Sequence, residues 1–384
     1  MSLPLPAPAG AEHDVRVAGL RAWMAEVGAH AFVAVSPENV YYLTGLDHLG
    51  YFAFTAVLIP AGGTAPVVVT REMERPTVRA QLPGHRHVTF PDGDDPAAAV
   101  AGALAGLVPP GGLIAVEEEA MFFPPSIRAG LDRALAERRW VDGTGVLATV
   151  RAVKTPLEIG DIRRAAAVSD AAMAAGIGAA RPGAPERDVA AAVHHAMFAA
   201  GGQPPGFTPL IRPLWMLEQE HVSWGDRTVA DGVFLELSGC VRRYHAPMSR
   251  TVYTGPVPAG AVQAHAAATA GLDATLDALR PGTTTGEVYA AWRRAVAGTS
   301  AATWPSRHHC GYLVGIGFPP SWVGGGQVLG IRAGGEVEIT AGMTFHLMSW
   351  VTEPTGHVVS DTALVTPTGA ELLTTTTREL IAVS

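Results

Sequence analysis

Disulfides, membrane spans and basic clusters are what this 384-residue chain lacks. Two cysteines, Cys240 and Cys310, cannot build a disulfide framework, and they stand in no zinc-binding spacing. No apolar run approaches the ~20 residues that a membrane-spanning helix requires. Charged residues make up only 16% of the chain, with 27 Lys and Arg against 35 Asp and Glu. That net −8, with no Lys/Arg-rich cluster, argues against a nucleic-acid partner. The opening MSLPLPAPAG shows no basic segment ahead of an apolar one, so no secretory signal is visible and a cytoplasmic location is expected. There is no His-Glu-x-x-His, no phosphate-binding Walker loop and no Gly-x-Ser-x-Gly elbow. Gly311, Gly315 and Gly317 follow a His pair rather than a strand of a βαβ unit, which argues against a dinucleotide site.

What remains is a chain that is 48% apolar, carried by Ala and Gly more than by Leu and Ile, and long enough for a large core. Residues 1–150 alternate helix-like and strand-like segments. Leu20, Trp23, Met24 and Val27 share one helical face, and short apolar runs at 31–35, 56–59, 67–69 and 113–116 read as buried strands. Helices are expected at 97–107 and 126–136 between them, giving a mixed α/β layer. A second unit, 151–384, opens with Pro156 at a helix start. Two helices, strands at 233–237 and 250–253, two more helices at 259–279 and 285–296, then strands at 344–351 and 358–365 follow. That succession is compatible with an internal duplication, although no residue-level repeat is visible.

Four clusters carry side chains suited to chemistry. His221, in His221-Val222-Ser223-Trp224-Gly225-Asp226-Arg227, is of the residue type best suited to general-base work at neutral pH, or is a loop histidine that merely hydrogen-bonds. Glu236 lies inside the apolar run Phe234-Leu235-Glu236-Leu237-Ser238, where alternation sets Phe234, Glu236 and Ser238 on one face. Burial there would raise its pKa into a useful range; the alternative is a wet face. Arg242 to Thr251 reads as the returning arm of a hairpin, with Arg242 and Arg243 in a solvated turn. Arg250 suits a bidentate carboxylate grip or a structural ion pair. Arg307-His308-His309-Cys310-Gly311-Tyr312 and Phe345-His346-Leu347-Met348-Ser349-Trp350 form the fourth, split cluster, with His346, Met348 and Trp350 on one strand face.

Together these residues resemble the pita-bread family of creatinase, prolidase, aminopeptidase P and methionine aminopeptidase. Pro37-Glu38-Asn39-Val40-Tyr41-Tyr42-Leu43-Thr44-Gly45 and the junction Arg151-Ala152-Val153-Lys154-Thr155-Pro156-Leu157-Glu158-Ile159 resemble the two-domain members. The resemblance implies an α/β (α+β) chain, a creatinase-like N-terminal domain over 1–150 and a pita-bread catalytic domain over 151–384. His221 to Arg227, Phe234 to Cys240, Arg243 to Pro247, Cys310 to Pro320 and Gly342 to His346 are most similar to ectoine hydrolases and their relatives.

Peptidases of this family hold two metal ions with two Asp, one His and two Glu. The corresponding positions here carry Glu236, Pro247, Tyr312, Met348 and Ser360, so no metal and no cofactor is expected. Creatinase performs metal-free C–N hydrolysis with a histidine base, and that histidine matches His221. The two Glu that hold its guanidinium substrate look like Ser249 and Met348 here, which removes creatine. Ectoine hydrolases carry Asp-Trp-Gly-Glu after the Pro-Pro, where this chain has Ser321-Trp322-Val323-Gly324, and Gly-Leu-Glu where it has Gly356-His357-Val358. The substrate is therefore expected to be less cationic or more apolar than ectoine.

The resemblance thus implies a metal-independent hydrolase of a small cyclic or acyl amide or amidine. His221 and Glu236 act as acid, base or nucleophile, and Tyr312 and His346 stabilise the oxyanion. Arg250 holds a substrate carboxylate, with His309, Trp322, Met348 and Trp350 lining the pocket. A biosynthetic cyclase, dehydratase or isomerase is the alternative, since the same groups run the reverse reaction. A non-catalytic binding protein and an Xaa-Pro peptidase-like protein are the others. The family further implies a homodimer in which Phe52 or Phe54 reaches the partner's site; beside the strand at Ala56, the residues themselves favour the reading of ordinary core aromatics.

Overall fold

The computed structural model describes residues 10–299, 307–324, 328–352 and 355–384. These fall into two compact units: the first reaches Arg151 and takes in Gly324, and the second comprises the described residues of 152–323 and 328–384.

The first unit contains α1 (Gly10–Val27), β1 (Ala29–Ala34), α2 (Pro37–Thr44), β2 (Thr55–Pro60), β3 (Val67–Arg71), α3 (Arg75–Gln81), β4 (Arg86–Phe90), α4 (Pro96–Ala105), β5 (Leu113–Val116), α5 (Pro125–Ala134), β6 (Arg139–Asp142) and α6 (Val146–Val150). Its sheet runs β4-β3-β2-β1-β5-β6. The apolar runs read from sequence become β1, β2, β3 and β5; β4 and β6, with polar residues at most positions, are additional. Phe54, expected at a substrate, is instead 3% exposed in the core of this unit beside Ala56, Val69 and Ile127. An aromatic closing a core is not available to a ligand, so that assignment is withdrawn. Phe52 is exposed, with the Arg71 guanidinium 5.1 Å from its ring.

The second unit contains α7 (Pro156–Ala179), α8 (Glu186–Ala199), β7 (Leu210–Pro213), β8 (Gly232–Val241), β9 (Tyr244–Thr254), α9 (Ala261–Ala278), α10 (Thr285–Ala297), β10 (His309–Leu313), β11 (Gly330–Arg332), β12 (Thr344–Val351), β13 (His357–Thr366), β14 (Gly369–Leu372) and β15 (Ile381–Val383). One sheet runs β11-β10-β12-β13-β9-β8-β7, with β14 on β13 and β15 on β9. Capping boxes start both α7 (Thr155 and Glu158) and α10 (Thr284 and Glu287), each closing two otherwise unpaired backbone donors. Alternation along β12 sends Phe345, Leu347 and Val351 into a core with Ala264, Leu272 and Trp292 of the helices. The other face carries Met348 and Trp350, which pack with Leu210 and Phe234. One face is thus sealed by helices and the opposite one is left to form a cavity.

Helix α7 lies close on β8 because Gly239 has no side chain. A Cβ there would sit 2.2 Å from the Ala165 carbonyl oxygen, while its N–H donates to Ser169 Oγ at 2.7 Å. Gly239→Ala is expected to lower the urea midpoint, by about 1–3 kcal/mol of overpacking strain. An unchanged midpoint would remove the close-approach argument.

The β8–β9 turn differs from its sequence reading. Arg242 and Arg243 both adopt positive φ (50° and 67°), and Arg243 is buried with its guanidinium 4.5 Å from the Phe318 ring. Cation–π packing holds this arginine out of solvent.

Candidate active site

The register of β7 on β8 pairs Leu210 with Glu236 and Arg212 with Phe234. Because side chains alternate, all four project from the same face. There they line or border a cavity of about 500 Å³, to which β10 adds His309 and Tyr312, β12 adds Met348 and Trp350, and the β7–β8 loop adds Glu220 and His221. Trp322 joins them, edge-on to Phe207 at 5.5 Å. Seven residues picked from sequence, His221, Glu236, His309, Tyr312, Trp322, Met348 and Trp350, therefore meet in one cavity.

Glu236 is buried and has no hydrogen-bond or ion-pair partner among the described residues. Burial raises its carboxyl from the ordinary 4.5 to about 7, against the pull of Arg212 and Arg307, with Glu220 adding to the rise. His221 is exposed at the same cavity, on backbone with φ 58°, and its ring stands edge-on to Phe207 at 5.9 Å. Histidine enters the left-handed region more readily than most residues, so this backbone suits a loop position and a functional one alike.

Tyr312 ends a hydrogen-bonded chain. Its hydroxyl accepts from Trp322 Nε1 at 3.0 Å and bonds His346 Nδ1 at 2.8 Å; His346 Nε2 bonds Ser360 Oγ at 2.7 Å, and Ser360 Oγ donates to Ser249 Oγ at 2.7 Å. Burial pushes the Tyr312 phenol upward and drops the His346 imidazole to about 3, so both stay neutral. This corrects the role given to His346. It is fully buried, both ring nitrogens are engaged, and it does not line the cavity; it orients Tyr312 rather than touching a substrate.

Arg250 is also corrected. Its guanidinium donates to Asp361 Oδ1 at 2.8 Å and to the backbone oxygens of Ser249, Ser360, Thr376 and Thr377, all away from the cavity. No N–H remains for a substrate carboxylate. Arg250→Met strands a buried carboxylate and is expected to destabilise the fold by about 3–5 kcal/mol in denaturant titrations. The folded fraction should keep its KM; a raised KM with unchanged stability would return Arg250 to the binding site.

The cations that do reach the cavity are Arg212, Arg307 and the exposed Arg332; the sequence reading places Arg307 in its fourth cluster without a role and does not single out Arg212. Arg307 pairs with Glu220 at 2.6 Å, and this pairing lowers the Glu220 pKa against its own desolvation. Arg212 lies in the short apolar run Leu210–Pro213, the same kind of signal that exposed Glu236.

The two-metal cage of the pita-bread peptidases does not fit this donor set. Pro247 has no ligating atom, Met348 offers a soft thioether, Ser360 is held between His346 and Ser249, and the Tyr312 phenol remains protonated. Glu236 alone is a hard anionic donor, and hard divalent ions demand several oxygens. Among the described residues no group of three or more His, Cys, Asp and Glu is placed to hold a metal ion.

Comparison with known proteins bears on the same architecture. Residues 160–367 match the metallopeptidase family M24, and residues 16–153 match the creatinase/prolidase N-terminal domain. The chain is 31% identical to the uncharacterized hydrolase/peptidase y4tM of Sinorhizobium fredii, over 97% of both. It is 28% identical to ectoine hydrolase of Halomonas elongata, over 96% of both. The crystal structure of dipeptidase PepE from Mycobacterium ulcerans is similar at a TM-score of 0.82 and 26% identity, covering 98% of this chain and 100% of that one.

Proposed function

The chain belongs to the M24 metallopeptidase family, with a creatinase/prolidase N-terminal domain ahead of its pita-bread domain, and from that premise we propose that it hydrolyses a non-peptide C–N bond of a small amide or amidine without a metal ion. The observation that carries this reading is the partnerless buried Glu236, poised near neutrality in the cavity that His221 also lines. A carboxyl titrating near pH 7 can attack an sp² carbon in one form and donate a proton in the other. His221 takes the complementary part, either drawing a proton from water or assisting the attack of Glu236. The water oxygen ends on the substrate carbon. The C–N electron pair leaves on nitrogen, which takes up the proton. Tyr312, which accepts from Trp322 and gives its single O–H to His346 in this network, serves the charge that develops on the heteroatom by turning that O–H from His346 toward it. Similarity to ectoine hydrolase supports the bond type, and the donor set at the cage positions supports metal independence.

A dipeptide substrate is the second reading, supported by the likeness to dipeptidase PepE. One experiment separates them: elemental analysis of purified protein, then product analysis on a panel of acyl amides, lactams, cyclic amidines and dipeptides. Turnover of amides or amidines that persists under chelation is expected. One or two tightly held metal ions per chain, with dipeptide turnover lost to chelator, overturns the proposal. Dehydrative ring closure of open-chain members, with no hydrolysis, would assign the cyclase alternative.

A further inference from the structure

The cavity holds a guanidinium that no carboxylate contacts, although Glu236 and Glu220 act on it through space. Arg212 is fully buried, yet it forms no ion pair among the described residues. Its Nη atoms reach only the backbone oxygens of Leu217 (3.2 Å) and Val222 (3.3 Å), and its Nε has no partner. Burying a cation in this way is expensive unless an anion completes it. Arg307 approaches the same aromatic wall: the two guanidinium carbons stand 5.8 Å (Arg212) and 4.2 Å (Arg307) from the Trp350 ring centroid. Arg307 gives Nη1 to Glu220 and keeps a buried Nε unpartnered; His309 Nδ1 on the same lining is also buried without a partner.

The acids of the cavity are equally telling. Among the described residues only Glu220 and Glu236 line it, against Arg212, Arg307 and the exposed Arg332. Glu220 already pairs with Arg307, and Glu236 is the group assigned to the chemistry. Among the described residues no third carboxylate lines the cavity to receive a substrate cation, whereas three of its lining residues, Arg212, Arg307 and His309, each keep a buried nitrogen without a partner. A planar guanidinium pairs with carboxylate or phosphate oxygens through parallel hydrogen bonds, so the group that fits is an oxyanion, of which a carboxylate is the planar, singly charged case.

We propose that this cavity selects small monoanions of the N-acyl amino acid or lactam-carboxylate class, seating the carboxylate on Arg212 and Arg307 beside Trp350 with the C–N bond toward Glu236, and that it discriminates against zwitterions. The C–N placement rests on the hydrolase reading above; the carboxylate seat does not.

The seat is tested on the wild-type full chain with probes that contain no amide to cleave. Levulinate copies an N-acetylated amino acid with CH₂ in place of NH, methyl levulinate removes the charge, and 5-aminolevulinate adds an ammonium group. Calorimetric titration at pH 7 is expected to give levulinate an affinity at least about tenfold above either relative, the margin of a charge-assisted hydrogen bond. Arg307→Gln and Arg212→Gln should each erase most of that margin, read on variants whose far-ultraviolet spectrum and melting remain native. Equal binding of methyl levulinate overturns the carboxylate seat, and equal or tighter binding of 5-aminolevulinate overturns the discrimination. A margin that survives Arg307→Gln in full overturns the assignment to these arginines. The two proposals fail separately. Metal-free hydrolysis of neutral amides with no levulinate margin sinks the seat alone, and a margin sensitive to Arg307→Gln with no amide or amidine hydrolysed sinks the hydrolase reading alone.

Discussion

Glu236→Gln is expected to reduce turnover by about 10³-fold or more, since it removes both the proton and the attacking oxygen from the reacting bond. The same change should alter stability in a pH-dependent way that a solvent-exposed carboxyl would not produce. In the folded chain this carboxyl titrates at about 7, and in the unfolded chain near 4.5. Between those values the folded state holds the extra proton. The contribution is therefore complete below pH 4.5 and is lost as pH rises through 7. Relative to the Gln variant, the wild type should lose on the order of 3 kcal/mol between pH 4.5 and 8. The buried histidines run the other way: desolvation lowers His245 to about 4 and both His346 and His357 to about 3, so each removes stability as pH falls below 6.5. They are common to both proteins and cancel in the difference. Chemical denaturation of the pair at several pH values reads this directly, and a flat difference across the window would mean that Glu236 is ionised in the folded state at all of them.

That Glu236 was visible in the sequence and Arg212 was not has a physical basis. Glu236 interrupts a run long enough for alternation to show, with Phe234 and Ser238 on its side and Leu235 and Leu237 on the other; β8 keeps that division. Arg212 sits in a four-residue strand between prolines, too short for a period to emerge. Arg250 shows the opposite failure. An arginine in a strand announces burial or binding without saying which, and its partner Asp361 lies 111 positions away, joined to it only by the pairing of β13 on β9. His346 shares a strand face with Met348 and Trp350, but cross-strand pairing places it opposite Tyr312, which meets the cavity in its stead. Phe54 could not be separated from Phe52 by composition; the sheet buries one and leaves the other exposed. The order of helices and strands in the second unit, in contrast, follows from local signals, among them the Thr155–Glu158 capping box and the Pro156 start. Local chemistry was legible, and long-range pairing was not.

His221→Ala is expected to lower turnover by about 10²–10⁴-fold, the range of a positioned acid or base. Its folding should be almost unaffected. His221 is exposed, its side chain makes no hydrogen bond among the described residues, and its ring contact with Phe207 lies at the cavity. A surface substitution of that kind stays within about 0.5 kcal/mol. The positive φ of 58° persists in the variant, and His221→Asn, a residue more at ease in left-handed backbone, controls for any strain relieved or added. Both variants should therefore melt with the wild type while losing activity together. Because Glu236 titrates near 7 and remains in place, the residual activity should keep a pH dependence centred there, whereas the Glu236→Gln residue of activity should not. A His221→Ala protein with more than roughly a tenth of wild-type turnover falls well outside the acid–base range and removes the histidine from the mechanism. The left-handed backbone of that loop would then have to be explained by packing alone.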